Sequence, residues 1–279
     1  MRVASLHLYP VKSGRVVDVK EAALLPAGFA GDRRWMIVDE AGRFLTQREE
    51  PRLALLAATL RPNGLTLSAP GAGTLALDVP GEDAPTVMAT VWKDTVPARL
   101  AEAASGWLSG WLGRSLRLVW LPERANRRLP AAWVPWGGEV GFADGYPILI
   151  VNTASLADLN RRLAHPAPMA RFRPSLVIES DEPWGEDSWL TLRIGAVELE
   201  LVKPCTRCII TTTDQETAER SSQEPLRTLQ RCRRSADARV SGALFGWNAV
   251  PRVPGPVRVG DPVEVLERRA EPWPIRPAV

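Results

Sequence analysis

The sequence predicts a mainly β chain of the α+β kind: a closed, barrel-like C-terminal sheet with peripheral helices, and a smaller β-rich N-terminal half. Three observations predict it. Short apolar runs recur along the chain between turn residues. The composition supplies those turns, with 25 Pro and 21 Gly in 279 residues. Helical periodicity is confined to a few short segments. In the second half, strands expected over 148–151, 172–178, 190–202 and 257–266 need mutual cover and no free edge, which a closed sheet provides.

Size and composition bound the rest. The length fits one large domain or two ordinary ones. Apolar residues make up 45% and charged residues 24%, which excludes a disordered chain. No apolar run approaches the ~20 residues of a membrane span. The start, MRVASLHLYPVKSG, has no secretory apolar region. The expectation is a soluble, cytoplasmic protein with no membrane contact. Net charge is +3, with 31 Arg against 4 Lys and no polybasic block, so nucleic acid is not an expected partner. Three cysteines (Cys205, Cys208, Cys232) and two histidines (His7, His165) exclude a disulfide scaffold and fall short of a structural zinc site.

In chain order, residues 2–9 form a strand ending at Pro10. Strands over 35–38 and 43–46 flank the turn DEAG. Strands over 59–60 and 65–67 flank RPNG, where Asn63-Gly64 signals a hairpin. Strands follow over 75–79 and 86–92. Leu100, Ala103, Ala104, Trp107, Leu108, Trp111 and Leu112 then recur at helical spacing, and 115–121 returns to strand. Residues 1–122 form the N-terminal domain. Residues 123–141, rich in Pro, Arg, Trp and Gly, connect it to a second domain over 142–267. There a strand over 148–151 precedes a helix from Ser155 to Leu163, opened by capping-box-like spacing with Asp158. Residues 172–178 form a strand, and 190–193 and 196–202 a hairpin around Ile194-Gly195. Residues 224–233 form a helix. Residues 257–266 close with a strand pair around Gly260-Asp261, and 268–279 form a surface tail.

The chemistry centres on KPCTRCIITTTD (203–214). Cys208 follows a strand, with Lys203 and Arg207 nearby in sequence. Cationic neighbours favour thiolate, the nucleophile and the metal-binding form. The same CxxC also reads as two small strand-end residues, or as half a zinc site shared with a partner. A second set of residues sits on separate loops: Lys12, Ser13, Asp32, Arg33, Arg173 and Thr206. Cations and hydroxyls together suit a phosphate-bearing ligand, although each alone reads as a surface residue. Arg173, inside an apolar strand, needs a partner if buried. Thr46-Gln-Arg-Glu49 reads as a turn or a donor cluster. Trp133 and Trp136 either line a pocket or pack down. Trp107 and Trp111 read as core, His7 as a structural histidine and Cys232 as inert.

Eight segments occur in an order that resembles a known family: PVKS (10–13), GDRRW (31–35), TQREEPRL (46–53), FADGYPILIVNTASLADLN (142–160), FRPSLVI (172–178), PCTRCIITTTD (204–214), EPLRTL (224–229) and VGDPVEVL (259–266). This is the MOSC family with an N-terminal MOSC domain, the group of the mitochondrial amidoxime-reducing component and its bacterial relatives. The resemblance spans about residues 1–267. It implies a MOSC β-barrel and a pterin molybdenum cofactor (Mo-molybdopterin), with Cys208 as the metal's protein ligand and Cys205 unused for metal. It implies cofactor contacts at Lys12, Ser13, Arg33, Asp144, Gly145, Tyr146, Arg173, Thr206 and Cys208. It also carries a family association with pyridoxal phosphate binding. The implied reaction is reductive removal of oxygen from small N-hydroxylated compounds, with Asp214, Asp144 or water as the proton source. Electrons are expected from a separate protein of ferredoxin, flavin reductase or cytochrome type. Two other readings of the same resemblance are a sulfur-transfer protein using a Cys208 persulfide and a non-catalytic cofactor carrier.

Overall fold

Residues 197–201 alternate Val, Glu, Leu, Glu, Leu, and the three apolar side chains are buried while the glutamates stay partly exposed. That period of two makes one face of a strand apolar, and the large sheet is built from such faces. The computed structural model describes residues 1–277. Its first half runs β1 (Arg2–Leu8), β2 (Val17–Val19), β3 (Glu21–Leu25), β4 (Gly28–Phe29), β5 (Trp35–Val38), β6 (Ala57–Arg61), β7 (Gly64–Ala69), β8 (Gly73–Asp78), β9 (Thr86–Val91), β10 (Asp94–Leu100), α1 (Glu102–Leu112) and β11 (Arg117–Trp120). A short ribbon follows, β12 (Arg127–Arg128) with β13 (Glu139–Val140). The second half runs β14 (Ile148–Asn152), α2 (Thr153–Asn160), β15 (Leu176–Glu179), β16 (Trp189–Ile194), β17 (Val197–Thr206), α3 (Leu226–Cys232), β18 (Leu244–Val253), β19 (Gly255–Arg258) and β20 (Val263–Arg268). The chain is mainly β, as its patterning predicts.

The large sheet has the order β2-β1-β15-β14-β18-β17-β16-β20. Only β14 and β15 run parallel within it. Its far end returns to β1 through a bridge from Arg2 to Pro262 and a bond from the Val3 amide to the Asp261 carbonyl at 2.9 Å. Inside lie Leu6, Ile150, Ile178, Leu192, Leu199 and Trp247, all buried. Val3, Leu6, Leu8, Ala22, Leu24 and Phe29 thus join this core, on the far side of the linear division at residue 122, whereas Val11 packs in the N-terminal one. The remaining N-terminal strands form two sheets, β5-β11-β10-β9 and β6-β7-β8. Helix α1 buries Ala104, Leu108 and Leu112 against Leu65, Leu67 and Leu118. It stops at Gly113, whose φ of 71° is the left-handed conformation that closes many helices.

Several local expectations are corrected. Residues 94–100 form β10, unread in sequence because Asp94 and Pro97 break the apolar pattern. Residues 244–253 form β18, a central strand disguised by Gly246, Asn248 and Pro251. At Gly246 a Cβ would meet the Ile150 carbonyl oxygen at 2.6 Å, so the close strand approach requires glycine. Helix α2 is capped by Asn152, whose side chain accepts from the Ala154 amide at 2.9 Å. Ser155 lies inside that helix and hydrogen-bonds Glu186. Residues 257–266 are not a hairpin: β19 pairs with β3 and β20 with β16. The expected surface tail is docked as far as Arg276: Trp273 is buried against Trp247 and donates to the Ser235 hydroxyl at 3.1 Å, and the Arg276 amide donates to the Arg234 carbonyl at 2.8 Å. Ala278 and Val279 of that tail lie outside the described residues.

Behind the barrel, Glu186 is almost fully buried. Burial, and the neighbouring Asp187, push its pKa up to about 7. The folded state therefore holds a proton that the unfolded chain releases from its ordinary carboxyl range. Stability falls as pH rises through the window from the unfolded value to about 7, by roughly 3 kcal/mol in full. Glu186→Gln should remove this slope. Denaturant unfolding at a series of pH values measures it.

Candidate functional site

Where the two halves meet, the backbone is forced into unusual turns. Residues 9–15 leave β1 and bond across to 32–35: the Arg33 amide to the Tyr9 carbonyl at 2.8 Å, and the Lys12 amide to the Trp35 carbonyl at 2.7 Å. Ser13, Arg33 and Arg173 all have positive φ, at 65°, 46° and 54°. The left-handed region costs a non-glycine residue ~1–2 kcal/mol. Such strain persists where the surrounding structure over-determines it, and it clusters at functional sites. Arg173 is therefore not inside a strand: it ends a short 3₁₀ turn before β15.

These turns open onto one cavity of about 800 Å³, its mouth included. Lys12, Ser13, Arg33, Asp144, Gly145, Tyr146, Arg173, Thr206 and Cys208 all line it. Nine residues scattered from 12 to 208 in sequence are thus brought together. Arg48, Cys205, Arg207 and Asn248 line it too. Asp214 does not. Its carboxylate accepts from the Glu216 and Thr217 amides at 2.9 and 3.1 Å and from Arg171 at 3.3 Å, which makes it a turn-former. Those bonds, led by the Glu216 amide, hold its pKa below the ordinary value. Trp133 and Trp136 also stay away and line a separate cleft beside Trp273.

Charge dominates the cavity wall. Lys12, Arg33, Arg48, Arg173 and Arg207 face it, against a single carboxylate, Asp144. Lys12 is buried and gives its ammonium to the Phe142 carbonyl at 2.7 Å and to Asp144 at 2.5 Å. Burial lowers its pKa to about 8, against the pull of Asp144. The Asp144 side chain is half exposed, and against partial desolvation Lys12 and Arg48 hold it well below the usual carboxylate range. Arg33 pairs with buried Asp32 at 2.5 Å, and Asp32 in turn accepts from the Tyr9 amide at 2.7 Å. Arg33 and Arg173 both lie over the Tyr9 ring, at 4.4 and 4.2 Å from its centre. Burial lowers Arg173 to about 10, and the nearby charge of Arg33 works in the same direction. Arg173 donates through Nη1, to the Gly14 carbonyl at 2.8 Å and to Gln215 at 3.2 Å.

The expected attendants of Cys208 belong to Cys205 instead. Arg207 Nη1 lies 3.0 Å from Cys205 Sγ, and Lys203 shares its strand face at two-residue spacing. The cations beside Cys208 are Arg48 and Arg220. Arg48 comes from the polar segment 46–49, which sequence reading left between turn and donor cluster. Arg220 carried no sequence signal. It sits twelve residues past Cys208 and binds the Thr213 hydroxyl at 2.8 Å and the backbone carbonyls of Gln47 and Arg48. Gln47 and Gln215 exchange reciprocal amide bonds at 3.1 and 3.0 Å, joining the two loops. Arg127, from the connecting ribbon, binds the carbonyls of Gly141 and Ala143 and so fixes the loop that carries Asp144.

Three buried polar atoms on the cavity residues have no hydrogen-bond partner: Arg48 Nη1, Tyr146 Oη and Arg207 Nε. An unmade bond of this kind costs ~1–3 kcal/mol, and native proteins complete most of them with a ligand or an ordered water. Excess positive charge, three free donors and two cavity thiols, each with a guanidinium nearby, fit an anionic organic group carrying a sulfur-loving metal. No group of three or more His, Cys, Asp or Glu able to hold a bare metal occurs among the described residues.

Comparison with known proteins gives the family. Residues 1–115 match the MOSC N-terminal beta barrel domain, and residues 137–264 match the MOSC domain. Human mitochondrial amidoxime-reducing component 1 is 37% identical over 281 residues, covering 95% of this chain and 82% of the human one. The mouse protein of that name is 37% identical over 279 residues, with the same coverage. Human mitochondrial amidoxime reducing component 2 is 33% identical over 276 residues, covering 94% of this chain and 82% of that one. The solved structure of YiiM from Geobacillus stearothermophilus matches at a TM-score of 0.31 and 13% identity, over 44% of this chain and 55% of that one, too distant to bear on fold or function. With both MOSC domains present and more than a third of its residues shared with full-length relatives, the chain belongs to the MOSC-domain family that includes the mitochondrial amidoxime-reducing components.

Proposed function

We propose that this protein is a molybdenum-cofactor-dependent reductase of N-hydroxylated compounds. The observation that carries the reading is the cavity itself: two thiols, Cys205 and Cys208, the second beside Arg48, on a wall of five cations and one carboxylate. The names of the 37%-identical relatives specify reduction of amidoximes. An amidoxime gains two electrons and two protons, its N–O bond breaks, and an amidine and water leave. A pterin molybdenum cofactor, when bound, supplies the two-electron chemistry that accepts the oxygen.

The chain's own residues bind, orient and tune. Cys208 would supply the metal's thiolate. Arg33 and Arg173, stacked over Tyr9, would hold the cofactor's anionic group with Ser13, and Lys12, paired with Asp144, would add positive charge. Asp144, Gly145, Tyr146 and Thr206, on the same cavity wall, would contact the cofactor's organic part. Burial raises the Tyr146 phenol, so it stays protonated and serves as a donor. Asp144 and Asp214 both lie below the ordinary carboxylate range and are anions at neutral pH. Neither carries the proton for N–O cleavage, so water delivers it. Electrons come from a separate redox protein. No helix among the described residues is long and apolar enough to cross a membrane.

The test is protein purified from a host that makes the cofactor, with metal analysis and reduction of an aromatic amidoxime by reduced viologen. Stoichiometric molybdenum and steady amidine formation are expected. A Cys208 persulfide without molybdenum overturns the reading in favour of sulfur transfer, and full metal loading without turnover favours a carrier. Cys208→Ala should abolish molybdenum-dependent reduction, and Cys205→Ala should keep most of it. Equal loss in both, with metal unchanged, removes Cys208 as ligand. Arg173→Ala should weaken cofactor retention by about 3 kcal/mol, on the order of 100-fold, measured as molybdenum lost on gel filtration.

A pH effect follows from Lys12. Its ammonium is lost as pH rises through about 8, and the cavity then loses one positive charge. Affinity of the cofactor-free protein for sulfate should fall from about pH 7 to about pH 9. Calorimetry on wild type and on Lys12→Met measures it, and the variant should bind more weakly without the pH step.

A further inference from the structure

Arg48 is held on every side except one. Its Nη2 donates to Asp144 at 3.0 Å. Its guanidinium lies 4.7 Å over the Trp92 ring. Its backbone carbonyl is gripped by Arg220 at 3.2 Å. Its Nη1 is buried and makes no hydrogen bond of good geometry among the described residues. The side chain lines the cavity with Cys208, whose thiol the guanidinium meets only as a longer contact.

Trp92 is an odd residue for its position. It opens the two-residue turn between β9 and β10, flanked by the Val91–Asp94 pair, with φ at 56°. Such turns select Asn, Asp or Gly at positive φ. A tryptophan there is strained and 51% exposed. Its ring meets Phe44 edge-on at 5.1 Å and covers Arg48. A residue that breaks the local turn rule in order to cover a cavity guanidinium is the pattern expected of a functional site.

We propose that Arg48 is a catalytic residue: its free Nη1 donates a hydrogen bond to the N-bound oxygen of the substrate beside Cys208, and Trp92 is the positioning residue that aims it. The proposal rests on the reductase reading. Negative charge gathers on the oxygen as the N–O bond lengthens. A fixed guanidinium stabilises that charge more than it stabilises the neutral N–OH group, so it lowers the barrier rather than tightening binding alone. Arg48 stays protonated throughout and transfers no proton. The other two free donors do not compete for this role, because Arg207 belongs with Cys205 and Tyr146 carries no charge.

The experiment uses the molybdenum-loaded protein, an aromatic amidoxime and reduced viologen. Arg48→Lys should keep full molybdenum and cooperative unfolding, lose ~100-fold in kcat, and change KM by less than ~3-fold. Arg48→Ala should be partly rescued by low concentrations of guanidinium ion, which a merely structural role would not allow. Trp92→Ala should lose ~10-fold in kcat, while Trp92→Phe keeps most of it. Substrate should shift the Mo(V) paramagnetic resonance spectrum of wild type and leave that of Arg48→Ala unshifted. Arg48→Ala within ~3-fold of wild type overturns the proposal alone. Molybdenum lost in step with activity also overturns it, by making Arg48 a cofactor anchor. Inactivity of the loaded wild type sinks the reductase reading and this proposal with it.

Discussion

The cavity crowds Lys12, Arg33, Arg48, Arg173 and Arg207 around one carboxylate, and the fold must hold them there against their own repulsion. It does so with partners set behind the wall. Asp32 neutralises Arg33 from the buried side, and the Tyr9 ring lies under two guanidiniums at once. Asp144 is shared by Lys12 and Arg48. Backbone carbonyls take the rest: Phe142 from Lys12, Gly14 from Arg173, Phe172 from Arg207. Each of these arrangements fixes a cation, and five cations against Asp144 and Asp32 leave the cavity with an excess of positive charge. An anion entering there meets charges that are already desolvated and oriented, so little reorganisation opposes binding.

That demand explains the topology at the junction. No single sheet could present so many cations on one surface without placing like charges side by side on neighbouring strands. The chain instead draws them from five places, 9–15, 32–35, 46–48, 172–175 and 205–208, and brings the one carboxylate from 142–146. β1 lies in the barrel while the segment after it bonds to the strand that opens the N-terminal sheet. The two halves are therefore tied at the residues that make the site. Cross-links such as the Gln47–Gln215 pair and Arg127 on the 141–143 carbonyls have the same effect. The positive φ values at Ser13, Arg33 and Arg173 are local costs of the same constraint.

Much of this was legible in sequence, and for identifiable reasons. Strands with clean alternation, such as 197–201, announced themselves, as did the hairpin at Asn63 and the helix before Gly113. β18 did not, because a strand covered on both sides by other strands tolerates Gly246, Asn248 and Pro251 once partner geometry decides the backbone. Nine site residues came from the ordered family motifs, and the structure gathers all nine at one cavity. Sequence proximity misassigned the cations of Cys208. Lys203 and Arg207 are near in the chain, but strand alternation and the turn after residue 206 carry them to Cys205. Arg48 and Arg220 arrive from 160 residues before and 12 after, and only folding makes them neighbours of the second thiol.

The two cysteines end up chemically distinct although two residues separate them. Cys205 is the last but one residue of β17, so the pleat sets its neighbours: Lys203 on its own face and Arg207 across the turn. Cys208 lies beyond the strand, where the chain bends into the 3₁₀ turn at 209–212, and the Thr211 hydroxyl caps its carbonyl at 2.9 Å. The bend turns the second thiol toward Arg48, whose position is set by Asp144, Trp92 and Arg220 together. A thiol placed by a regular strand inherits whatever its neighbours are. A thiol placed by a bend meets groups delivered from several distant segments, and those groups can be tuned without disturbing the sheet. On the reductase reading proposed above, this is a physical reason for the second cysteine of the pair, rather than the first, to serve as the metal's ligand.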